Sequence, residues 1–251
     1  MWAPVLLLVL VGLAIGSFLN VVIARLPEHK SLWGPRSACP GCGAPIAWHD
    51  NVPILSFVSL RGRCRTCAMR ISWRYPIVEA LTAALFVLAY RIFGPTVDFL
   101  AALVLLAALV AITAIDLQHQ IIPDVITLPG IVAGFLANLA SGRVSWLDSL
   151  IGIGVGGGLF LIIILASGGG MGGGDMKLGA MLGAFLGWSV VLVAVFVAVL
   201  LGGALAIPLL VTGKRGRKDP IPFGPFLALG GVVGLFWGER LAQWYVSGFA
   251  G

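Results

Sequence analysis

The stretch GGGMGGGDMK, residues 168–177, lies between two apolar runs and ends with an acidic and then a basic side chain. Asp175 therefore lies at the edge of an apolar segment, and Asp116 ends another apolar segment 59 residues earlier. Ionisable residues are costly and rare in membrane segments, so both acids are candidates for function. Two carboxyls that face each other share one proton, because two close negative charges repel. The pattern predicts a dyad formed by Asp116 and Asp175.

The composition indicates a membrane protein. Hydrophobic residues make up 59% of the 251 residues and charged residues 10%, with a mean hydropathy of +1.05. A soluble domain carries about 25% charged residues. The first apolar run has no preceding positive charges and no cleavage site before a hydrophilic domain, so we expect a retained helix. The sequence predicts an all-α polytopic protein whose main partner is the lipid bilayer and excludes an ordinary soluble class.

The apolar residues fall into eight runs, most of which have the length that a bilayer requires. The sixth run is short, and its boundary with the seventh is predicted at Gly187 and Trp188. We expect a first domain at residues 1–75, containing the first helix and a polar loop, and a seven-helix domain at residues 76–251. The eight runs are residues 5–24, 76–93, 97–115, 125–140, 147–166, 176–187, 189–212 and 226–246.

The basic residues predict the orientation in the membrane. The loop at residues 25–74 holds eight Lys and Arg residues, and the loop at residues 213–224 holds four. With eight crossings both loops lie on one side, which the positive-inside rule assigns to the cytoplasm. Asp116 and Asp175 then both lie at the cytoplasmic edge. The net charge of +6 is thus interpreted as a topology signal rather than a sign of nucleic-acid binding.

All four cysteines lie in the first polar loop as two Cys-x-x-Cys pairs, Cys39 with Cys42 and Cys64 with Cys67, separated by 21 residues. Two such pairs match a structural zinc site with four thiolate ligands. Disulfides in an oxidising compartment and a redox-active pair are the alternatives, and a reducing cytoplasm disfavours the first. Zinc ribbons also occur in nucleic-acid-binding proteins, but a loop tethered at both ends by membrane helices disfavours that function.

Helix ends suggest different roles for the two acids. Asp116 lies near a helix C-terminus, where the helix dipole disfavours negative charge, and Asp175 lies near an N-terminus, where it favours negative charge. The hypothesis from sequence is therefore an ionised Asp175 that activates water and a protonated Asp116 that polarises the substrate carbonyl.

The glycine run beside Asp175 lacks the Lys-Ser/Thr continuation of a phosphate-binding loop, and a flexible linker is its simplest alternative.

Three nearby polar residues have simpler interpretations. Asp124 follows Pro123 and precedes an apolar run, so we expect it to cap a helix. Lys177 is expected to extend towards lipid headgroups, and His119 is expected to be solvated.

These motifs together resemble the type IV prepilin peptidases, which are GxGD membrane aspartyl proteases. The resemblance covers almost the whole chain, and the motifs occur in the family's order. They are residues 16–23 and 25–27, the paired cysteines, residues 74–76 with Glu79, residues 115–117 and 122–124, residues 172–178, and residues 222–226.

The resemblance implies a bifunctional enzyme of the bacterial inner membrane, with Asp116 and Asp175 as the catalytic pair. It implies cleavage after a glycine that removes the basic leader of type IV prepilins or type II secretion pseudopilins on the cytoplasmic face. It also implies N-methylation of the new terminus with S-adenosylmethionine. It assigns no residue to the methyl donor, although the N-terminal third, with Glu79 as a candidate, is the region expected to bind it.

Two other classes of function remain open at this point. A proton-coupled transporter also uses membrane acids, but it predicts acids near the midplane and an inverted repeat. A non-catalytic assembly factor that binds partners through the zinc loop would tolerate the change Asp175→Asn.

Overall fold

The computed structural model describes residues 2–34, 36–166, 171–212 and 221–249. These residues form an all-helical protein, as predicted, with two isolated β-bridges and no strands in the ranges described. Glycines 168–170 and the basic residues 214–218 lie outside these ranges. The helices are α1 (Trp2–Arg25), α2 (Leu55–Ser59), α3 (Arg74–Phe93), α4 (Val97–His119), α5 (Asp124–Ser141), α6 (Trp146–Ala166), α7 (Gly173–Val211) and α8 (Gly224–Phe249), with a short 3₁₀ helix at Trp48–Asn51.

Six helices in the described part of the chain, α1 and α3 to α7, are long and apolar enough to cross a membrane. The prediction of eight crossings counted α7 twice and included α8. Gly187 interrupts α7 with φ 77° and ψ 171°, so its predicted boundary is confirmed. Glycine adopts this backbone conformation without the steric cost that a side chain would add. Each of the eight predicted apolar runs corresponds to a helical segment, whereas in the described residues length and composition support six crossings.

The chain divides into two compact units, Met1–Ile92 and Phe93–Gly251. In the first unit, α1 packs closely on α3. A Cβ atom on Gly12 would lie 2.5 Å from the Cα atom of Ala83, and one on Gly16 would lie 2.6 Å from that of Glu79. Asn20, one turn further along, is buried and donates a hydrogen bond to the backbone of α3. The face of α1 that carries Gly12, Gly16 and Asn20 therefore packs against protein, since only glycine permits this approach.

In the second unit, α4 supplies much of the core, and its side chains Leu105, Leu106 and Ile112 are fully buried. The helix begins at a capping side chain, because the hydroxyl of Thr96 accepts a hydrogen bond from the Phe99 amide at 3.3 Å. It ends where Gln120 adopts a left-handed conformation and donates its N–H to the Asp116 carbonyl at 2.9 Å. A short link then leads into α5, so the end of α4 that carries Asp116 is tightly defined.

Candidate active site and metal centre

Asp116 lies in the last turn of α4 and is 5% exposed. Its Oδ2 atom accepts a hydrogen bond from the backbone N–H of Gly224, the first residue of α8, at 2.9 Å. A Cβ atom at position 224 would lie 2.6 Å from the same oxygen, so only glycine allows this contact. The contact gives Gly224 a physical role in the site. Sequence reasoning gave it none, because the two residues are 108 positions apart.

Asp175 is the third residue of α7, and its backbone N–H donates to the Gly172 carbonyl at 3.2 Å. Its side-chain Oδ1 atom is buried and has no hydrogen-bond partner among the described residues. The preceding Gly174 packs against Ile122, because a Cβ atom there would lie 2.8 Å from the Ile122 Cβ. The last glycine of the Gly-x-Gly-Asp pattern is therefore required by this close contact, which holds the start of α7 against the link after α4.

The fold brings the two acids together. Asp116 and Asp175 are close enough for the two carboxyl groups to interact electrostatically. Each belongs to the second unit, and each lies at a helix end rather than at a helix centre. Two close carboxyls, one with a fixed backbone donor and one with an unpaired oxygen, form an arrangement that can hold a proton on one oxygen and bind water with the other.

Asp124 does not cap α5, contrary to the interpretation from sequence. It is the first residue of the helix, and Pro123 occupies the N-cap position. Instead both of its carboxylate oxygens accept hydrogen bonds from the Nζ atom of Lys177, at 2.7 and 2.6 Å. Lys177 is thus in an ion pair with protein rather than extended to lipid. His119 is exposed at the end of α4, in agreement with the sequence-based interpretation.

The four cysteines form one cluster. The Sγ atoms of Cys39, Cys42, Cys64 and Cys67 all lie within 4.8 Å of one another, and those of Cys39 and Cys67 are 3.7 Å apart. A tetrahedral zinc ion with Zn–S bonds of about 2.3 Å requires sulfur–sulfur distances of about 3.8 Å. All four thiols are free, so the predicted disulfide alternative is not what the structure contains. The cluster fits a four-coordinate metal and could bind zinc.

Each Cys-x-x-Cys pair forms a tight turn, termed a knuckle, and the two knuckles have the same backbone pattern. In each, the residue four positions after the first cysteine donates its backbone N–H to the carbonyl of that cysteine. Gly43 donates to Cys39 at 2.8 Å, and Ala68 donates to Cys64 at 3.0 Å. Both donors have positive φ, 69° at Gly43 and 57° at Ala68. Glycine adopts this conformation at position 43 without a steric cost, whereas Ala68 adopts the same conformation at a steric cost.

Backbone amides also prepare the second knuckle for metal binding. The N–H groups of Cys67 and Thr66 point at the sulfur of Cys64 and lower the pKa of this thiol to about 6. A hydrogen bond from the Met69 amide lowers the pKa of the Cys67 thiol. Desolvation and the neighbouring thiols together outweigh it and raise that pKa to about 11. Because metal ligands must be thiolates, the amides around Cys64 supply charge stabilisation that this chemistry requires.

Glu79 holds a strained turn. Its Oε2 atom accepts a hydrogen bond from the Ile54 N–H at 2.8 Å, and Ser17 also hydrogen-bonds to the carboxylate. Ile54 has φ 59° and ψ −48°, and the Leu55 amide donates to the Pro53 carbonyl at 2.6 Å. This is a γ-turn with positive φ, which is costly for a β-branched residue. The carboxylate thus anchors the turn that leads into α2, a role the sequence did not indicate.

Two family models match the chain in succession. The bacterial peptidase A24 N-terminal domain matches residues 10–93, and the type IV leader peptidase family matches residues 103–207. The two matches together account for most of the chain. No solved structure matches it.

Several similar proteins carry the name prepilin leader peptidase/N-methyltransferase. The one from Aeromonas hydrophila is 40% identical over 99% of this chain and 96% of its own length. The one from Pseudomonas aeruginosa is 38% identical over 99% and 95% of the two chains, and that from Bacillus subtilis 35% over 96% and 97%. The similarity therefore extends over both compact units of the structure.

Proposed function

Because the chain belongs to the type IV leader peptidase family, we propose that it is a membrane endopeptidase that uses Asp116 and Asp175 to remove prepilin leaders. The observation that carries this assignment is that two carboxyls from distant parts of the sequence, at the ends of α4 and α7, lie close enough to interact electrostatically. The substrates in this proposal are type IV prepilins or type II secretion pseudopilins, cut after a glycine. The multi-pass inner-membrane location agrees with such substrates.

Hydrogen bonding supports a definite position for the shared proton. The Gly224 N–H stabilises an ionised Asp116, and a hydrogen bond to a charged group contributes about 1.5–3 kcal/mol. Ionised Asp175 would leave a buried oxygen without a donor. The helix dipole, which favours the opposite assignment, contributes about 0.3–1 kcal/mol. The proposal therefore has ionised Asp116 and protonated Asp175, the reverse of the roles suggested by helix ends.

This arrangement performs peptide hydrolysis with two complementary groups. Asp116 accepts a proton from water as the water oxygen bonds to the scissile carbonyl carbon, and Asp175 donates its proton to the carbonyl oxygen. The carbon–nitrogen bond then breaks, and the proton held by Asp116 passes to the leaving amine. Asp175 recovers its proton as the carbonyl re-forms, so the enzyme returns to its singly protonated state.

The proton position gives a spectroscopic prediction. In infrared difference spectra at neutral pH, Asp175→Asn should remove the carbonyl stretching band of one protonated carboxyl from the spectrum of the parent protein. Asp98→Asn, at the opposite end of α4 from Asp116, is the matched control and should leave that band in place. If Asp175→Asn left the band unchanged while Asp116→Asn removed it, the proton would reside on Asp116.

The second activity in the proposal is N-methylation of the new N-terminus by S-adenosylmethionine. Its association with residues 1–75, and that of peptidase activity with residues 76–251, remain predictions from sequence. The Glu79 carboxylate is already engaged by Ile54 and Ser17, and so it is not assigned to the methyl donor. The donor, when bound, supplies an electrophilic methyl group, and no step is assigned to a residue of this chain.

A structural zinc ion at the four cysteines completes the proposal. The sulfur distances and the donor set support it, since four thiolates form a closed ligand shell without an open catalytic position. The excess of basic residues at 25–74 supports a cytoplasmic location for this loop and, through the predicted topology, for the two aspartates.

The positive φ at the two knuckles predicts opposite effects of two substitutions on zinc retention. Gly43→Ala should weaken zinc binding about fivefold, because a left-handed conformation costs a side chain about 1 kcal/mol. Nothing surrounds Gly43 closely, so the effect should come from the backbone alone. Ala68→Gly should strengthen binding, although by less, because glycine also gains freedom in the unfolded loop. Chelator competition on the solubilised protein measures both, and equal affinities in the two variants would refute this backbone effect.

The proposed function is tested by co-expression with a prepilin and mass spectrometry of the prepilin's N-terminus. Loss of the leader mass reports cleavage, and a further gain of one methyl group reports methylation. An unprocessed prepilin in the presence of folded enzyme would contradict the peptidase assignment for that substrate.

A proton-coupled transporter is less compatible with the structure, because Asp116 and Asp175 lie at helix ends rather than near helix centres.

A further inference from the structure

Two contacts join the link after α4 to the first turn of α7. The first is the close packing of Ile122 on Gly174, where a Cβ atom would lie 2.8 Å from that of Ile122. The second is the ion pair in which Lys177 donates to both oxygens of Asp124, at 2.7 and 2.6 Å. Both contacts connect segments that are about fifty residues apart in sequence and that carry the two aspartates of the dyad.

Both residues of the ion pair lie close in sequence to the segments that carry the two aspartates of the dyad. Lys177 follows Asp175 by two residues in the same helical turn, so a rotation or translation of the start of α7 moves both residues together. Asp124 opens α5, immediately after the short link from the end of α4. An ion pair between them therefore fixes the start of α7 relative to the loop that leaves Asp116.

The surroundings of the pair argue against other roles. Pro123, not Asp124, occupies the N-cap position of α5, and both carboxylate oxygens of Asp124 accept hydrogen bonds from Lys177. The side chains of Lys177 and Asp124 are 31% and 53% exposed, and exposed ion pairs contribute little to the free energy of unfolding. Both oxygens of the carboxylate nevertheless accept from the same Nζ atom, so the carboxylate lies directly against Lys177. Any role of the pair therefore lies in geometry rather than in the free energy of unfolding.

We propose that Asp124 and Lys177 are positioning residues, whose ion pair together with the Ile122–Gly174 contact sets the separation of the Asp116 and Asp175 carboxyls. This inference rests on the proposed function, because it presumes that those two carboxyls carry out the cleavage. Neither Asp124 nor Lys177 touches the substrate in this proposal. Their effect passes through the backbone to the two acids, whose hydrogen-bonding geometry must be held closely for catalysis.

The test is steady-state cleavage of a prepilin peptide by the full-length enzyme in detergent micelles. Asp124→Asn and Lys177→Met should each lower kcat about tenfold to a hundredfold, because a misplacement of about 1 Å has an effect of this size. KM should change by less than about twofold, since substrate contacts are unaffected. The double variant should be no slower than the slower single variant, because both substitutions break one interaction.

Glu239→Gln is the matched control. Glu239 is 58% exposed and pairs with Arg143 at 3.1 Å in the same unit, so this substitution also removes the carboxylate of a partly exposed ion pair. It should leave kcat unchanged. Lys177→Arg keeps the charge and the hydrogen-bond donors, although a planar guanidinium does not reproduce the ammonium contact fully, so it should lower kcat by less than Lys177→Met does. Melting temperatures of all variants establish that they are folded.

Three results would overturn the inference. The first is a kcat at the parent level in both Asp124→Asn and Lys177→Met. The second is an increase in KM with unchanged kcat, which would show that the pair binds substrate. The third, decisive even if Lys177→Met fails to fold, is a loss in Lys177→Arg as large as the loss in Asp124→Asn. Activity in Asp175→Asn would instead refute the proposed function itself, so the two failures are distinguishable.

Discussion

Replacing either Asp116 or Asp175 with Asn is expected to lower leader cleavage by about a thousandfold or more, as the loss of a general acid or base does. Asn keeps the size of the side chain but cannot take up or release a proton at neutral pH. Asp116→Asn would remove the base that activates water, and Asp175→Asn would remove the acid that protonates the carbonyl. The measurement is the rate of appearance of the cleaved prepilin, by mass spectrometry, across a range of pH.

The pH dependence separates loss of a catalytic group from a shift in its titration. In the parent protein, cleavage should fall at low pH, where both acids are protonated, and at high pH, where both are ionised. The two apparent pKa values belong to the pair rather than to either residue. Each Asn variant should be inactive at every pH. Asp98→Asn, on the same helix as Asp116, should retain the full profile. A rate that rose steadily with pH, together with an active Asp116→Asn, would point to a single base.

The same two variants also test whether the two activities are separable. We expect Asp116→Asn and Asp175→Asn to methylate a peptide that already has an exposed N-terminus, because both acids lie in the second compact unit. Parallel loss of both activities in a folded variant would contradict that division. The melting temperature of each variant distinguishes this result from general unfolding.

Removing a cysteine should have the second large effect. Cys39→Ser and Cys64→Ser should each abolish stoichiometric zinc and expose the loop around residues 36–71 to proteolysis. Binding of structural zinc to small peptides releases about 10–16 kcal/mol, and the loop's described residues contain no helix longer than five residues. The metal would therefore contribute most of the loop's folding free energy. Elemental analysis and limited proteolysis of the purified protein measure both effects.

A chelator provides the matched experiment on the unmodified chain. It should produce the same proteolytic pattern as Cys64→Ser and should inhibit cleavage only as far as the loop unfolds, because the proposed peptidase chemistry uses no metal. A zinc-free protein with four alkylated cysteines and a protease-resistant loop would refute the structural role. Direct inhibition at an intact loop would place a metal in the peptidase site.

Local patterns in the sequence were sufficient for several features. Long apolar runs cannot fold in water and therefore specify membrane helices, and the paired Cys-x-x-Cys spacing brings sulfurs together within each knuckle. The boundary predicted between the sixth and seventh apolar runs coincides with the break of α7 at Gly187. The candidates Asp116 and Asp175 were recognised for a similar reason, since a charge beside an apolar run is costly wherever it lies.

Only the tertiary structure shows which groups form hydrogen bonds with the side chains of Asp116 and Asp124. The partner of Asp116 is the Gly224 amide and that of Asp124 is Lys177, contacts between residues 108 and 53 positions apart. No sequence pattern reveals which backbone amide donates to a given carboxylate. An aspartate near a predicted helix start is interpreted as a capping residue, although its side chain can bind another partner. The sequence by itself determined that this is an all-helical membrane protein with two acids and four cysteines in suitable places. Hydrogen-bond partners depend on packing between distant segments, and only the folded chain shows them.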